Sequence, residues 1–443
     1  MLWLTLLSAC LHPPPKGPTP AAQAQTIHPA LEVETKRSLV GLSILIEGGS
    51  ASDDTGKEGA GALMWESLST HPALVEWKEA GGQFRSEWHR DYGVLHYRWA
   101  ASKDLSDDLK GLLNTQLISG EDIEALTANL ELIRTKWDRE EADRGLPSLR
   151  DTWLQIGLTG HPYAHPKRGS SATRSQLTPA DLQDAWRENL CTGRVHLAWA
   201  DTETSAVPDA IRDSLNELDS CKKELPTPKP FPISNASRLL ILESRGAGTQ
   251  AFLALPHRPT SQPLDPDTLQ WGAALLTGQA DNGPVQQAMH RASIEAMVSA
   301  RLSERGERWR QPLLQLEVRT QDADPIALFD ALHEGVSNLH QNGWTPRDLY
   351  RSNQHLNHRE EPPHTSPRVE SLLLAETFGL PPKASPEIPT ESILEFLLNG
   401  IHLDHPIFVM EVGNSEALAA HASALGFEVK TLRAIDLVTE ATD

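Results

Sequence analysis

The sequence contains no run of about eighteen apolar residues, which excludes a membrane-spanning helix. It contains no dense cluster of Lys or Arg either: 40 basic residues stand against 60 acidic ones, for a formal net charge of −20. A surface of that sign repels polyphosphate, so nucleic acid is not an expected partner. Low-complexity tracts are also lacking. At 39% hydrophobic and 23% charged residues, with regular amphipathic segments, the composition is that of a folded globular protein. The 443 residues exceed one ordinary core and predict two or three domains.

Cysteine is scarce, with three in the chain. Cys10 ends an apolar stretch whose last four residues, Leu7, Ser8, Ala9 and Cys10, resemble a bacterial lipobox, in which the cysteine thiol becomes the lipid attachment point. The Pro-, Ala- and Gln-rich residues that follow read as a flexible tether lifting a domain off a membrane. Residues 1–10 are therefore expected to be a lipoprotein-type signal and 11–35 a tether. The protein would then be lipid-anchored at a bacterial cell envelope and face the periplasm, at the outer membrane in preference to the inner. A plain secretion signal and a chance apolar tip are the alternatives. Cys191 opens a strand-like run and Cys221 closes a helix-like run. A strand followed by a helix packed back along it brings the two within disulfide range, which an oxidising periplasm permits. Two buried free thiols remain the alternative.

Prolines punctuate the chain. Four of them fall in the nine residues Glu224 to Pro232, a stiff linker placed at 224–236. On either side lies a half of similar size, 36–223 and 237–443. The first half reads as strand 38–46, helices 58–68 and 74–80, strands 83–86 and 93–100, helices 105–117, 122–143, 146–158 and 178–189, strand 193–200 and helix 208–219. Thr178 at N-cap with Pro179 at N1 marks one of these helix starts. The second half repeats the pattern less cleanly: strands 238–242 and 250–255, helix 267–276, a Gly-rich turn, helix 285–291, strands 294–302 and 313–319, helices 325–341, 345–358 and 366–378, then strand 406–412, helix 415–425 and strand 427–432. Strands of mixed spacing with consecutive helices predict an α+β fold, and the repetition predicts an internal duplication.

Four local patterns in the first half resemble the insulinase/pitrilysin peptidase family, which includes mitochondrial processing peptidase. They are the strand and Gly-Ser turn from Val40 to Ala51, the glycine turn into a strand from Glu79 to Ser86, the loop Gly160-His161-Pro162-Tyr163, and the helix start Leu177 to Leu182. The resemblance covers residues 36–222, and the second half matches more loosely. It implies two homologous α+β domains, each an antiparallel sheet flanked by helices. In active members two His, a downstream Glu and a Glu base hold zinc and activate water.

The residues of that chemistry are missing here. In the segment Gly59 to Leu68, the positions of the inverted motif His-x-x-Glu-His read Ala62, Trp65 and Glu66. No His lies between His28 and His71, so no shift of alignment restores the ligands. Glu140 or Glu141 falls where the third ligand would be, yet one or two carboxylates do not make a tight zinc site. The Arg and Tyr that hold substrate carbonyls in the family are matched by His290, with Arg291 adjacent, and by Met297, whose thioether donates no hydrogen bond. No cofactor is expected, zinc included.

Other candidates read as structure. His161 and His165 are separated by prolines that bar a common helix face, and His355, His358, Glu360 and Glu361 read as an exposed polar face. Gly246, Ala247 and Gly248 lack the helix a phosphate loop requires. Trp77, Trp99, Trp153, Trp199 and Trp271 fit apolar faces. What the resemblance leaves available is the strand of Gln83, Phe84, Arg85, Ser86 and Glu87. In the family this strand binds extended peptides by edge pairing, a mechanism that needs no particular side chains. The expected function is a non-catalytic peptidase-like subunit that binds peptides and pairs with an active zinc peptidase relative. A stand-alone peptide-binding or scaffold lipoprotein, and an active zinc endopeptidase with a site elsewhere, are the alternatives.

Overall fold

The computed structural model describes residues 27–28, 30–34, 39–118, 123–144, 148–201, 206–244, 248–259, 283–305, 311–342, 372–374, 376–378 and 400–433. Cys10, Trp271, His355, His358, Glu360, Glu361, Gly246, Ala247 and the helices expected at 267–276 and 345–358 lie outside these residues.

The first half contains β1 (Leu31–Glu34), β2 (Leu39–Glu47), α1 (Ala60–Ser69), α2 (Ala73–Glu79), β3 (Gln83–Trp88), β4 (Tyr92–Ala100), α3 (Ser106–Leu113) and α4 (Ile123–Arg144). It continues through α5 (Leu149–Gly157), α6 (Ser171–Gln176), α7 (Pro179–Asn189), β5 (Val195–Asp201) and α8 (Asp209–Asn216). The second half contains β6 (Arg238–Glu243), β7 (Thr249–Pro256), α9 (Pro284–Arg291), β8 (Met297–Arg305), β9 (Gln311–Thr320), α10 (Pro325–Asn342), β10 (Ile407–Val412), α11 (Glu416–Ala424) and β11 (Glu428–Arg433).

The two sheets share one topology. The first has strand order β1-β5-β2-β4-β3, and the second β11-β6-β10-β7-β9-β8. Numbered within its own half, each sheet runs first, fifth, second, fourth, third, and β11 extends the second sheet beyond β6. The pairings agree as well. β1 with β5 and β6 with β10 are parallel, and the remaining pairs in that order are antiparallel. The duplication, invisible as sequence identity, is explicit in the connectivity. Each sheet is thus antiparallel across most of its width, with parallel pairing confined to one side.

This topology corrects one boundary. β1 falls inside the segment expected to be tether, yet it pairs with β5 and is the topological counterpart of β6. Ile27, just before it, is buried in the first core. The segment 224–236 contains no helix or strand, and it is packed in place. Phe231 is buried between the halves, its amide donates to Gln311 Oε1, and Lys229 carbonyl accepts from His161 Nε2 at 3.0 Å. Four prolines prevent regular structure here without preventing packing.

One face of the first sheet carries Val40, Leu42, Ile44, Ile46, Leu95, Tyr97, Trp99, Val195, Leu197 and Trp199, covered by α1, α2, α3 and α8. Strict alternation along β2 and β5 puts these residues on one side. Trp77, Trp99 and Trp199 stack edge to face, with centroids 5.7 and 5.6 Å apart. The corresponding face of the second sheet is covered by α9, α10 and α11.

The opposite faces are covered reciprocally. Leu149, Trp153, Leu154 and Leu158 of α5 and its C-terminal end pack on Leu240, Leu242, Phe252, Ile407 and Val409 of the second sheet. Trp153 donates its indole N–H to Ile407 carbonyl at 2.7 Å. In return, Leu373 and Leu374 of the second half pack on Leu45, Tyr92, Val94 and Ala198 of the first sheet. The halves are separate along the chain and interlocked in space.

Candidate functional site

The positions that the sequence resemblance aligns with the zinc motif lie on α1 and α4. α1 is capped by Gly59, whose φ of 99° lies in the left-handed region and where a Cβ would come within 2.4 Å of the Arg168 carbonyl oxygen. Asp53 covers the open N-terminus, accepting from Gly59 N at 2.8 Å and Gly61 N at 3.1 Å. Burial pushes its carboxyl up to about 7, against the lowering pull of those two amides.

Each chemical position on α1 has been given to packing or to an ion pair. Ala62 is buried in an apolar cluster with Leu130, Ile133 and Trp137 of α4. Trp65 is 3% exposed and lies against Trp88 of β3, with ring centroids 5.0 Å apart. The strand beneath makes room for it, since a Cβ on Gly93 would come within 2.5 Å of the Trp65 ring. Glu66 meets Lys136 of α4 at 2.9 Å.

The carboxylates of α4 are matched in the same way. Glu140 pairs with Arg168 at 2.8 Å. Glu141 receives both terminal nitrogens of Arg174, at 2.9 and 2.6 Å, in the bidentate geometry of strong guanidinium–carboxylate pairs. Arg174 is fully buried, and it also reaches Asp138 at 2.6 Å and the Gly169 carbonyl at 2.9 Å. Arg168 lies over the Trp137 ring at 4.7 Å. A divalent ion here would lack imidazole and thiolate donors and would compete with three cations for the carboxylates. The donor set does not fit zinc.

β3 is the edge of the first sheet and pairs with β4. Along it, Phe84 tilts onto Tyr97 with centroids 5.2 Å apart, Ser86 Oγ meets Ser69 Oγ at 2.6 Å, and Arg85 pairs with Glu87 at 2.6 Å. A hydrogen bond from His89 and the charge of Arg85 hold Glu87 below the usual carboxylate range. Among the described residues, Gln83 to Glu87 thus lie on the edge strand of the sheet, paired on one side by β4.

The remaining sequence candidates fall at separate places. His290 ends α9 on the surface, 3.4 Å from Gln286, and Arg291 pairs with Glu334 at 2.8 Å. Met297 opens β8, the edge of the second sheet, and is 63% exposed. α9 directly precedes β8, the third strand of its half, as α2 directly precedes β3 in the first. His161 accepts from Tyr163 N through Nδ1 at 3.1 Å, and His165 Nδ1 lies 3.0 Å from the Pro166 carbonyl, so both serve loop structure. Cys191 and Cys221 are disulfide-bonded, with Cα atoms 5.0 Å apart. Lys136, Arg168, Arg174 and Trp88 were not singled out in the sequence. Their only signal is charge and size at positions whose partners lie up to 70 residues away.

Comparison with solved structures agrees with this architecture. A peptidase M16 inactive domain from Pseudomonas fluorescens superposes with a TM-score of 0.71 at 14% identity, covering 88% of this chain and 97% of that one. A protease from Helicobacter pylori gives 0.70 at 13% identity, over 88% and 99%. A chain of Complex III2 from Candida albicans gives 0.64 at 10% identity, over 92% and 100%. No protein-family model matches the sequence, and no curated protein matches it. The chain has the insulinase/M16 type of fold over nearly its whole described length.

Proposed function

We propose that this protein is a non-catalytic peptidase-like subunit. It keeps the insulinase-type fold, holds no zinc at α1, and contributes a peptide-binding surface to an assembly with a catalytically competent relative. The observation that carries this reading is the replacement of the zinc constellation by Ala62, the Trp65–Trp88 contact and the Glu66–Lys136 and Glu141–Arg174 pairs. A site that had merely lost ligands would leave a polar hollow. This one is packed and charge-balanced, and His290 and Met297 stand where the carbonyl-holding Arg and Tyr are expected.

The place of β3 at the edge of the first sheet among the described residues supports peptide binding by strand addition, in which backbone groups supply affinity. The lipobox-like Leu7 to Cys10 supports a lipid anchor at the bacterial envelope, facing the periplasm, and the disulfide fits an oxidising compartment.

Purification of the native protein from membranes, with mass spectrometry of what accompanies it, tests the proposal. The expected result is a stoichiometric partner carrying an intact His-x-x-Glu-His motif, with peptide hydrolysis residing in the complex. Chelator-sensitive peptidase activity in the isolated chain would overturn the non-catalytic reading. A partner-free monomer would replace the pairing with a stand-alone binding or scaffold role.

A further inference from the structure

Among the described residues, one group of metal-type donors converges, and it lies away from α1: His28, Glu47 and His196, whose ligand atoms are all within 4.8 Å of one another. Topology explains the convergence. His196 pairs with Leu45 across β5 and β2, and Glu47 is two residues further along the same face, the diagonal position from which side chains touch. Glu47 Oε1 and His196 Nε2 are 2.8 Å apart. β1 runs parallel to β5 with Leu31 opposite Ala198, so the residues just before β1 arrive beside the start of β5. His28 is thereby placed over His196, with ring centroids 4.0 Å apart and planes at 9°.

The backbone on all three sides is fixed. Ile27 is buried in the core and its amide points at Asn216 Oδ1 at 3.4 Å. The turn before β5 is tied by the Cys191–Cys221 disulfide and by Thr192 N donating to Asp219 carbonyl at 3.0 Å. Glu47 ends β2, in register with Tyr92.

We propose that His28, Glu47 and His196 form a binding site for a borderline divalent cation, zinc above all. Two imidazoles and one carboxylate suit that ion, and this trio supplies the donor chemistry that α1 and α4 lack. The net charge of the neutral-imidazole form is −1, which favours a cation. Coordination needs two adjustments. Parallel stacked rings share no common plane, so the His28 ring must swing out of the stack. It is exposed, and its other contact, to the Gly193 carbonyl, is long at 3.4 Å. Ligand atoms about 2.0–2.1 Å from a tetrahedral ion sit roughly 3.3 Å from each other, so the Glu47–His196 pair must open by about half an ångström. The ion then takes the place of the proton that Nε2 donates, and that proton moves to Nδ1. Bound this way, the ion clamps the segment preceding β1 onto β2 and β5. This inference is independent of the peptidase-like reading.

The test is isothermal titration of zinc chloride into the metal-stripped full chain carrying no polyhistidine tag. Wild type is expected to take one equivalent and to gain thermal stability on doing so. His28→Ala and Glu47→Gln should each weaken binding at least about tenfold and abolish the thermal gain. His28→Ala removes an exposed ring, so its melting temperature without metal serves as the folding control should His196→Ala fail to fold. Absence of zinc binding by wild type would overturn the proposal. So would binding that His28→Ala leaves unchanged, or binding that Glu66→Gln weakens instead.

Discussion

Trp65 lies against Trp88 with ring centroids 5.0 Å apart, at the position on α1 that the sequence resemblance aligns with the peptidases' catalytic base. The indole is accommodated by a matching absence on the strand beneath, Gly93, where a Cβ would sit within 2.5 Å of the ring. The two positions make sense only together. A carboxylate at 65 would be an unpaired charge among apolar groups, and a larger residue at 93 would expel the tryptophan.

Trp65→Ala is expected to destabilise the protein by about 3–5 kcal/mol, the cost of truncating a large buried aromatic whose site cannot fully collapse. Gly93→Ala should also destabilise by clashing with the ring. In a Trp65→Ala background the contact with that ring disappears and only the 2.8 Å approach to Trp88 remains, so the double variant should lose less than the sum of the two. Urea unfolding of the four proteins measures the coupling directly.

The two kinds of ion pair at the site should behave differently. Lys136→Met removes a half-exposed partner of Glu66 and is expected to cost about 1 kcal/mol or less. Arg174→Met leaves Glu141, Asp138 and the Gly169 carbonyl without their buried donor; because both carboxylates are nearly half exposed, the cost should be about 1.5–3 kcal/mol. Equal losses for the two variants would show that burial of Arg174 does not set its contribution.

Reduction of the Cys191–Cys221 disulfide releases a loop spanning a sequence separation of 30 residues. The loop-entropy relation gives about 3–4 kcal/mol for a closure of that length. Unfolding midpoints with and without reductant, and for Cys221→Ser, check the value. Because the bond ties the turn before β5, the variant should also weaken any zinc response that involves His196.

Two buried groups give opposite pH slopes. Burial raises the Asp53 carboxyl from 3.8 to about 7, so between those values the native state holds a proton that the unfolded chain has lost. Its contribution is therefore present below pH 3.8 and disappears as pH rises through about 7. Burial, with Arg98 nearby, lowers His96 from 6.5 to about 4, and Ser43 Oγ bonds its Nδ1 at 2.8 Å. Between pH 6.5 and 4 the unfolded chain takes up a proton that the native state refuses, so that contribution is lost as pH falls. Asp53→Asn should make stability rise more steeply from pH 4 to 7, and His96→Gln should flatten the rise. Thermal melts across that range separate them.

The sequence by itself determined the local structure and the residue types at the positions aligned with the zinc motif. Alternation along β2 and β5, the Thr178–Pro179 start of α7 and the glycine turn before β3 act within a few residues, so their outcome is readable without the fold. Ala62, Trp65 and Glu66 are legible for a simpler reason: a residue type that lacks a donor lacks it in any conformation. Tertiary structure decided what those residues contact. Nothing near Glu66 or Glu141 in sequence names Lys136 or Arg174 as the partner, because Coulomb and packing energies depend on distance in space, and the pairs are 70 and 33 residues apart. The apolar face of α5 announces burial but not its address on the second sheet, which follows from interlocking of the halves. β1 was hidden because four residues carry too little periodicity to mark a strand, and only β5 beside them makes them one. The meeting of His28, Glu47 and His196 is of the same kind, since it exists only where parallel and antiparallel pairing bring three distant stretches to one corner of a sheet.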